Sequence, residues 1–351
     1  MSDGGLLVYG AYGYTGRLVA RAAVERGRSP TLAGRRRGPL EPLATDLGCR
    51  AIAFRLDEQS AVEAALENHD AVLNCAGPFA ETCDPFVSAC LATETDYLDL
   101  TGELDVFQTI HDRDPEATEA GVTLLPGVGF DVVATDCLAS HLAERLPDAT
   151  SLTLAFDARG GASDGTIRTA IRGLADGGRV RRNGTIERVP LAWRTRSVDF
   201  GDGPRETVTV PWGDVATAYH STGIPDTTVY MAMHPDRITW LRRLRRLTPV
   251  LGLGPVKWLL STLLAGGGDG PDAETRAECG ARVWGEARAE SASVSARLRT
   301  PNSYRLTVEA ALAATRRVLD GGVDTGYQTP STAFGPDFVV GLPDVEREDV
   351  D

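Results

Sequence analysis

From Leu6 to about Gly127 the chain alternates short apolar runs with segments of helical periodicity. Leu6–Tyr9, Thr31–Ala33, Ala51–Phe54, Ala71–Asn74, Tyr97–Leu100 and Val122–Leu125 read as strands, because each is a brief hydrophobic run bounded by turn-forming or polar residues. Between them, helical patterns cover Tyr14–Glu25, Leu40–Leu47, Ala61–Glu67, Asp84–Ala92 and Leu104–Ala120. Strand and helix in regular alternation predict right-handed βαβ units, hence a parallel sheet with helices on both faces. After about Asp131 the pattern changes. A helix over Val132–Arg145 leads into longer strands at Ser151–Asp157, Val180–Val189, Arg205–Val210 and Thr227–Met233, with a helix over Ser163–Ala175. Asn183-Gly184 splits Val180–Val189 into a hairpin, since both residues accept positive φ. Ala281–Arg299 alternates as a long strand or strand pair, and Thr307–Leu319 is helical. The expected architecture is α/β: an N-terminal Rossmann-like parallel-sheet domain over residues 1–130, and a second α+β domain with a mainly antiparallel sheet over 131–324. The segment 325–351 is a candidate to complete the first domain. The Gly266–Asp272 run reads as a flexible loop.

The first strand-to-helix junction carries the chemistry. Gly10, Gly13 and Gly16 stand at GxxGxxG spacing between a strand and a helix, within Gly10-Ala11-Tyr12-Gly13-Tyr14-Thr15-Gly16. Glycine at the first position permits a sharp turn out of the sheet. At the second it admits a pyrophosphate to the helix N-terminus, and at the third it lets the helix lie close on the sheet. The loop residues Tyr12, Tyr14 and Thr15 are therefore cofactor-binding candidates along with the glycines. The second strand ends in Ala33-Gly34-Arg35-Arg36-Arg37, where an NAD-type site would offer a carboxylate to the ribose 2′-OH. Guanidinium groups there favour a 2′-phosphate, so the expected cofactor is NADP, with Arg35 and then Arg36 as its readers. The fourth strand runs into Ala76, Gly77, Pro78 and Phe79, small residues expected beside the diphosphate and nicotinamide ribose.

Composition narrows the classes of partner. At 351 residues the chain has room for two domains of roughly 150 residues. Its net charge of −13 repels phosphate backbones, which excludes nucleic acid as an expected partner. Lys257 is the single lysine, so 35 of the 36 basic residues are arginines. Six cysteines without a CxxC pair and five scattered histidines predict reduced thiols and no metal site. The N-terminus lacks a basic leader and runs straight into a strand, so a cytoplasmic protein is expected. The stretch Trp240–Leu264 joins four arginines with leucines and two tryptophans, and is a candidate peripheral membrane contact or an ordinary amphipathic element.

GAYGYTG (Gly10–Gly16), LAGRR (Leu32–Arg36), NCAGPF (Asn74–Phe79), YLDLTGE (Tyr97–Glu103) and PGVGFDVVATD (Pro126–Asp136) together resemble the saccharopine dehydrogenase-like oxidoreductases. Within that group they resemble the trans-acting enoyl reductases, whose late TPxxxFG pattern is matched by Thr329–Gly335. The resemblance implies an NADP-binding Rossmann domain and reduction of a carbon–carbon double bond in an apolar, lipid- or polyketide-like substrate. Two further readings stay open: a saccharopine-type amino-acid dehydrogenase, and a non-enzymatic NADP-sensing protein. The second domain is expected to serve substrate binding or assembly of a homodimer.

Hydride transfer needs positioning and a proton donor. Residues after the fifth and sixth strands are expected to face the nicotinamide, and Glu103, Asp131 and Tyr97 are the catalytic candidates. A carboxyl in a partly apolar pocket can hold a proton near neutral pH. Glu103 also reads as a charge at a helix N-terminus, Asp131 as a helix cap, and Tyr97 as a core residue.

Overall fold

The computed structural model describes residues 5–159, 177–245, 270 and 272–350. The expected helix at Ser163–Ala175, the 246–264 part of the basic apolar stretch and most of the glycine run lie outside the described residues. The chain divides into two compact units, Met1–Asp131 with Leu306–Phe334, and Val132–Arg305 with Gly335–Asp351.

The first unit begins β1 (Leu6–Tyr9), α1 (Tyr14–Glu25), β2 (Thr31–Gly34), α2 (Arg37–Leu47), β3 (Ala51–Ala53), α3 (Gln59–Leu66), β4 (Ala71–Asn74) and α4 (Phe79–Thr93). It continues through β5 (Asp96–Asp99), α5 (Leu104–His111), α6 (Asp114–Ala120) and β6 (Thr123–Leu125). Every residue of β1, β2 and β4 is buried, as a parallel sheet covered on both faces requires. The exposed, three-residue β3 is the edge. Around Phe86 one face of this sheet forms an aromatic core. Its ring meets Tyr9 edge-on at 5.0 Å between centroids, with Phe54 at 6.3 Å and Tyr97 at 6.5 Å. Val62, Val72, Ile110 and Leu124 fill the space around them.

The second unit takes in α7 (Phe130–Arg145) from Val132 onward. Its strands are β7 (Ser151–Ala158), β8 (Gly178–Arg182), β9 (Thr185–Val189), β10 (Thr195–Asp199), β11 (Pro204–Thr209), β12 (Asp226–Ala232), β13 (Ala281–Arg288) and β14 (Ser293–Thr300). Two late strands follow, β15 (Gly326–Tyr327) in the first unit and β16 (Glu346–Val350) in the second. Among the described residues the first sheet runs β15-β6-β5-β4-β1-β2-β3, all seven strands parallel. Among the described residues the second sheet has nine strands, along β10-β11-β12-β7-β13-β14-β16 with β8 and β9 attached through β12. It is mixed: of these pairs β12 and β7 run parallel, and the others are antiparallel.

The expected fold class, a parallel Rossmann-like sheet followed by a mainly antiparallel one, is what the chain forms. Asn183 and Gly184 make the β8–β9 turn with φ of 48° and 77°. Gly285 lets α7 approach β13, because a Cβ there would stand 2.7 Å from Leu142 Cδ1. The segment returning to the first unit is 306–334, so of the expected 325–351 only 325–334 lies there and 335–351 belongs to the second unit. Gly326 and Tyr327 pair with Thr123 and Leu124, whereas Glu346–Val350 pairs with β14. The periodicity leaves β10 and β16 undetected, since TRSVD and EREDV are strands dominated by charged and polar side chains at the margins of a sheet.

The buried position of Phe86 makes a stability test direct. Phe86→Ala should lower the unfolding free energy by about 3–5 kcal/mol through lost burial and a residual cavity, measured by urea denaturation followed by far-ultraviolet circular dichroism.

Candidate functional site

Because the first sheet is parallel, the C-terminal ends of β1, β2, β4, β5 and β6 fall on one edge, where a doubly wound domain receives its ligand. At the end of β1 the chain turns at Gly10, whose φ is +77°, and the amides of Gly10 and Ala11 both donate to the Ala33 carbonyl of β2, at 2.9 and 3.1 Å. Gly13 N donates to Gly10 O at 2.8 Å, and α1 starts immediately afterwards. A Cβ on Gly16 would stand 2.2 Å from Gly10 O, and one on Gly10 would stand 2.9 Å from Ala76. Only glycine permits this packing of loop, helix and neighbouring strand end. Helix α1 has no side-chain cap and no acidic residue in its first turn. A helix N-terminus so arranged offers backbone N–H groups and the positive end of its dipole to an anion.

The β2 end supplies the cationic part. Arg35, Arg36 and Arg37 are exposed. Arg37 is committed to Glu41 at 2.5 Å, one helical turn along α2. Arg36 lies over the Tyr12 ring, 5.4 Å from its centroid, and that ring in turn covers Gly34, where a Cβ would come within 2.5 Å of Tyr12 Cε1. Arg35 has no carboxylate partner among the described residues. Phosphate-seeking guanidiniums beside an uncapped helix N-terminus fit a nucleotide carrying both a diphosphate and a 2′-phosphate.

After β4 the chain passes Ala76, Gly77, Pro78 and Phe79, with a cis Gly77–Pro78 bond. Asn74 organises this bend. Its Oδ1 accepts from Ala76 N at 3.0 Å, and its Nδ2 donates to Thr82 Oγ1 at 2.9 Å. Thr82 Oγ1 closes the loop by donating to Ala76 O at 2.9 Å.

The three catalytic candidates occupy different settings. The Glu103 carboxylate accepts from Phe79 N at 2.9 Å and Ala80 N at 3.2 Å, so it caps α4 from the loop before α5. Tyr97 is fully buried and donates its hydroxyl to Asp99 Oδ2 at 2.8 Å. Asp131 sits in the first turn of α7 beside Gly102, whose Cβ would lie 3.0 Å from Asp131 Oδ2, and burial pushes its carboxyl up to about 6. Asp99 and Thr101, expected with Tyr97 and Glu103 on the nicotinamide side, are buried at and just after the end of β5. The pattern leaves Asn74 and Thr82 without a site role; a polar Asn74 closing the apolar run of β4 is the signal that could mark it.

Elsewhere, the second unit holds an open cavity of about 650 Å³ lined by Asp157, Arg159, Arg282, Arg299, Asn302 and Arg305 among others. Its charges are largely matched, with Asp157 between Arg159 and Arg205 and Arg305 on Asp344, so its walls are polar. Trp240 is 57% exposed on the helix Pro235–Leu244, while Ile238 and Leu241 of the same helix pack with Ala192 and Val208. No helix among the described residues is long and apolar enough to cross a membrane, and none of their His, Cys, Asp and Glu side chains group to hold a metal ion.

Comparison with known proteins agrees with this geometry. Residues 6–125 match the family model described as the saccharopine dehydrogenase NADP binding domain. A trans-acting enoyl reductase of Mycobacterium ulcerans is 28% identical over 181 residues, covering 47% of this chain and 43% of that protein. Its Mycobacterium leprae counterpart is 33% identical over 149 residues, covering 40% and 36%. A saccharopine dehydrogenase-like oxidoreductase of Mus musculus is 27% identical over 203 residues, covering 50% and 47%. The chain thus spans less than half the length of these curated relatives. Among solved structures, the apo saccharopine dehydrogenase (L-Glu forming) of Saccharomyces cerevisiae superposes with a TM-score of 0.68 at 13% identity, covering 99% of this chain and 100% of that one, which shows a shared fold. Residues 6–125 are therefore an NADP-binding domain of the saccharopine dehydrogenase type.

Proposed function

We propose that the protein is an NADPH-dependent reductase acting on the carbon–carbon double bond of an apolar, lipid- or polyketide-like substrate. The observation that carries the cofactor half of this reading is the pairing of the glycine cradle at the head of α1 with the exposed Arg35 at the end of β2, which has no carboxylate partner among the described residues. The substrate half is supported by the partial likeness to proteins named trans-acting enoyl reductases. NADPH bound at this edge supplies a hydride from its nicotinamide ring. The chain's own work is to hold the diphosphate on backbone amides, to read the 2′-phosphate with Arg35 and Arg36, and to present the ring beside the β4, β5 and β6 loops.

Of the three candidate acids, Asp131 is the best suited to proton donation. Glu103 has both carboxylate oxygens engaged by helix amides, and Tyr97 is buried with its proton committed to Asp99. Asp131 stands in the first turn of α7 and keeps a proton to about pH 6 because burial of its carboxyl disfavours the charged form. A saccharopine-type amino-acid dehydrogenase is the second reading, favoured by the whole-chain superposition on the yeast enzyme's fold.

NADPH oxidation followed at 340 nm with α,β-unsaturated acyl and prenyl compounds should show substrate-dependent turnover. NADPH binding with no turnover on any of them, or turnover of amino-acid substrates instead, would replace the enoyl reading. Arg35→Glu should weaken NADPH at least tenfold while changing NADH about twofold or less, because the change sets a like charge against the 2′-phosphate. Calorimetry with both nucleotides separates this from general damage. For Asp131 the acid form is the active one, so turnover should decline as pH rises through about 6. Asp131→Asn should be slower by about 10²-fold or more and should lose that limb of the pH–rate profile.

A further inference from the structure

We infer that Asp99 is the positioning residue of the nucleotide edge, a buried carboxylate that holds the loops after β4, β5 and β6 together so that the glycine loop keeps the shape its ligand requires. The inference rests on the NADP reading of this edge and concerns a residue that touches no ligand itself.

Asp99 ends β5 and is fully buried. Its Oδ1 accepts from Thr101 N, in its own loop, and from Gly127 N, in the loop after β6, both at 2.9 Å. The main chain reinforces the second link, with Val128 N donating to Asp99 O at 2.8 Å. Its Oδ2 accepts from the Tyr97 hydroxyl at 2.8 Å, and Asn74 Nδ2 donates to that same hydroxyl at 3.4 Å. Asn74 Oδ1 then holds Ala76 N, and Ala76 is the residue against which Gly10 packs. One side chain is thereby connected to three strand ends and, through Tyr97 and Asn74, to the base of the phosphate loop. Thr101 carries the chain onward: its Oγ1 accepts from Glu103 N at 3.0 Å, and Glu103 holds the start of α4. Buried polar networks of this kind are rigid when every member is satisfied and loosen when one is not.

The state of the carboxyl decides whether the network is complete. The ionised form accepts all three hydrogen bonds. A proton on Oδ2 would face the Tyr97 hydroxyl proton and force one of them to turn away. Groups facing Asp99 are mostly other acids: Tyr97 on its own strand, Cys75 after β4, Cys83 on α4 and Glu103 before α5. Burial raises the carboxyl from 3.8 to about 6, against the lowering effect of the Thr101 and Gly127 amides and the Tyr97 hydroxyl. Two opposite trends follow. The folded state holds the Asp99 proton more tightly than the unfolded chain, so this group's contribution to stability is greatest at low pH and is lost as pH rises from about 4 to about 6. Nucleotide affinity, which needs the ionised network, rises over the upper part of that window.

The test uses the full chain and titrates NADPH and NADH by fluorescence between pH 5 and 8, in the wild type and in Asp99→Asn. NADH lacks the 2′-phosphate, whose own titration near pH 6 overlaps the window, so its profile reports the protein's groups, and comparison with Asp99→Asn separates Asp99 from Asp131, whose carboxyl is also raised to about 6. The expected result is a Kd raised about tenfold for both nucleotides at pH 7.5 in Asp99→Asn, together with loss of the affinity step near pH 6 seen with NADH in the wild type. Equal Kd values and superimposable pH profiles in the two proteins overturn the inference. Should Asp99→Asn fail to fold, Tyr97→Phe removes the link to Asn74 alone; a Kd raised about threefold supports the relay, and an unchanged Kd overturns it. A wild type that binds neither nucleotide removes the cofactor reading and this inference with it, whereas binding by the wild type with an indifferent Asp99→Asn removes the inference alone.

Discussion

The contact on which the nucleotide domain depends is that of the Gly16 backbone with the carbonyl of Gly10, a space too narrow for any side chain. It draws the first turn of α1 against the end of β1 and sets that helix's N-terminus at the sheet edge. Gly10 in turn leans on Ala76 after β4, and its amide binds Ala33 on β2. Three strand ends therefore meet through backbone at a single loop. Side-chain chemistry is then layered on top: arginines outside, and a polar network beneath.

Electrostatics is arranged locally against the overall charge. A chain with a net charge of −13 would repel a polyanionic nucleotide, yet its β2 end presents three consecutive arginines and its first helix begins without an acidic residue. Deeper in the same unit the carboxylates are treated in opposite ways. Asp99 and Asp131 are raised by burial, whereas Glu103 is spent on the amides that open α4. Two acids close together in sequence, Asp99 and Glu103, thus support the edge by different means: one ties strands together, and the other caps a helix.

How much of this is legible in the chain depends on the range of the interaction. The βαβ alternation, the GxxGxxG loop and the Asn183-Gly184 hairpin are local patterns, in which dihedral preferences and burial period act over a few residues. Their elements appear where the pattern puts them, from Leu6–Tyr9 onward. The strands TRSVD and EREDV carry no apolar period of their own and become strands only because a neighbouring strand lends its hydrogen-bonding edge.

From its sequence alone this protein is determined to be a parallel nucleotide-binding sheet followed by a mainly antiparallel one, with a glycine-spaced first loop and three consecutive arginines at the end of β2. Those features rest on short-range sterics and on charge, which residue identity specifies directly. Tertiary structure alone decided that Glu103 caps a helix that begins 24 residues earlier and that Asp99 joins the loops after its own strand and β6. It also decided that residues 306–334 return to the first unit while the terminal strand stays with the second. Each of these is a hydrogen bond or strand pairing between residues distant in the chain. Such partners are selected by which groups remain unsatisfied once the sheet has formed, a condition that exists only in the folded molecule.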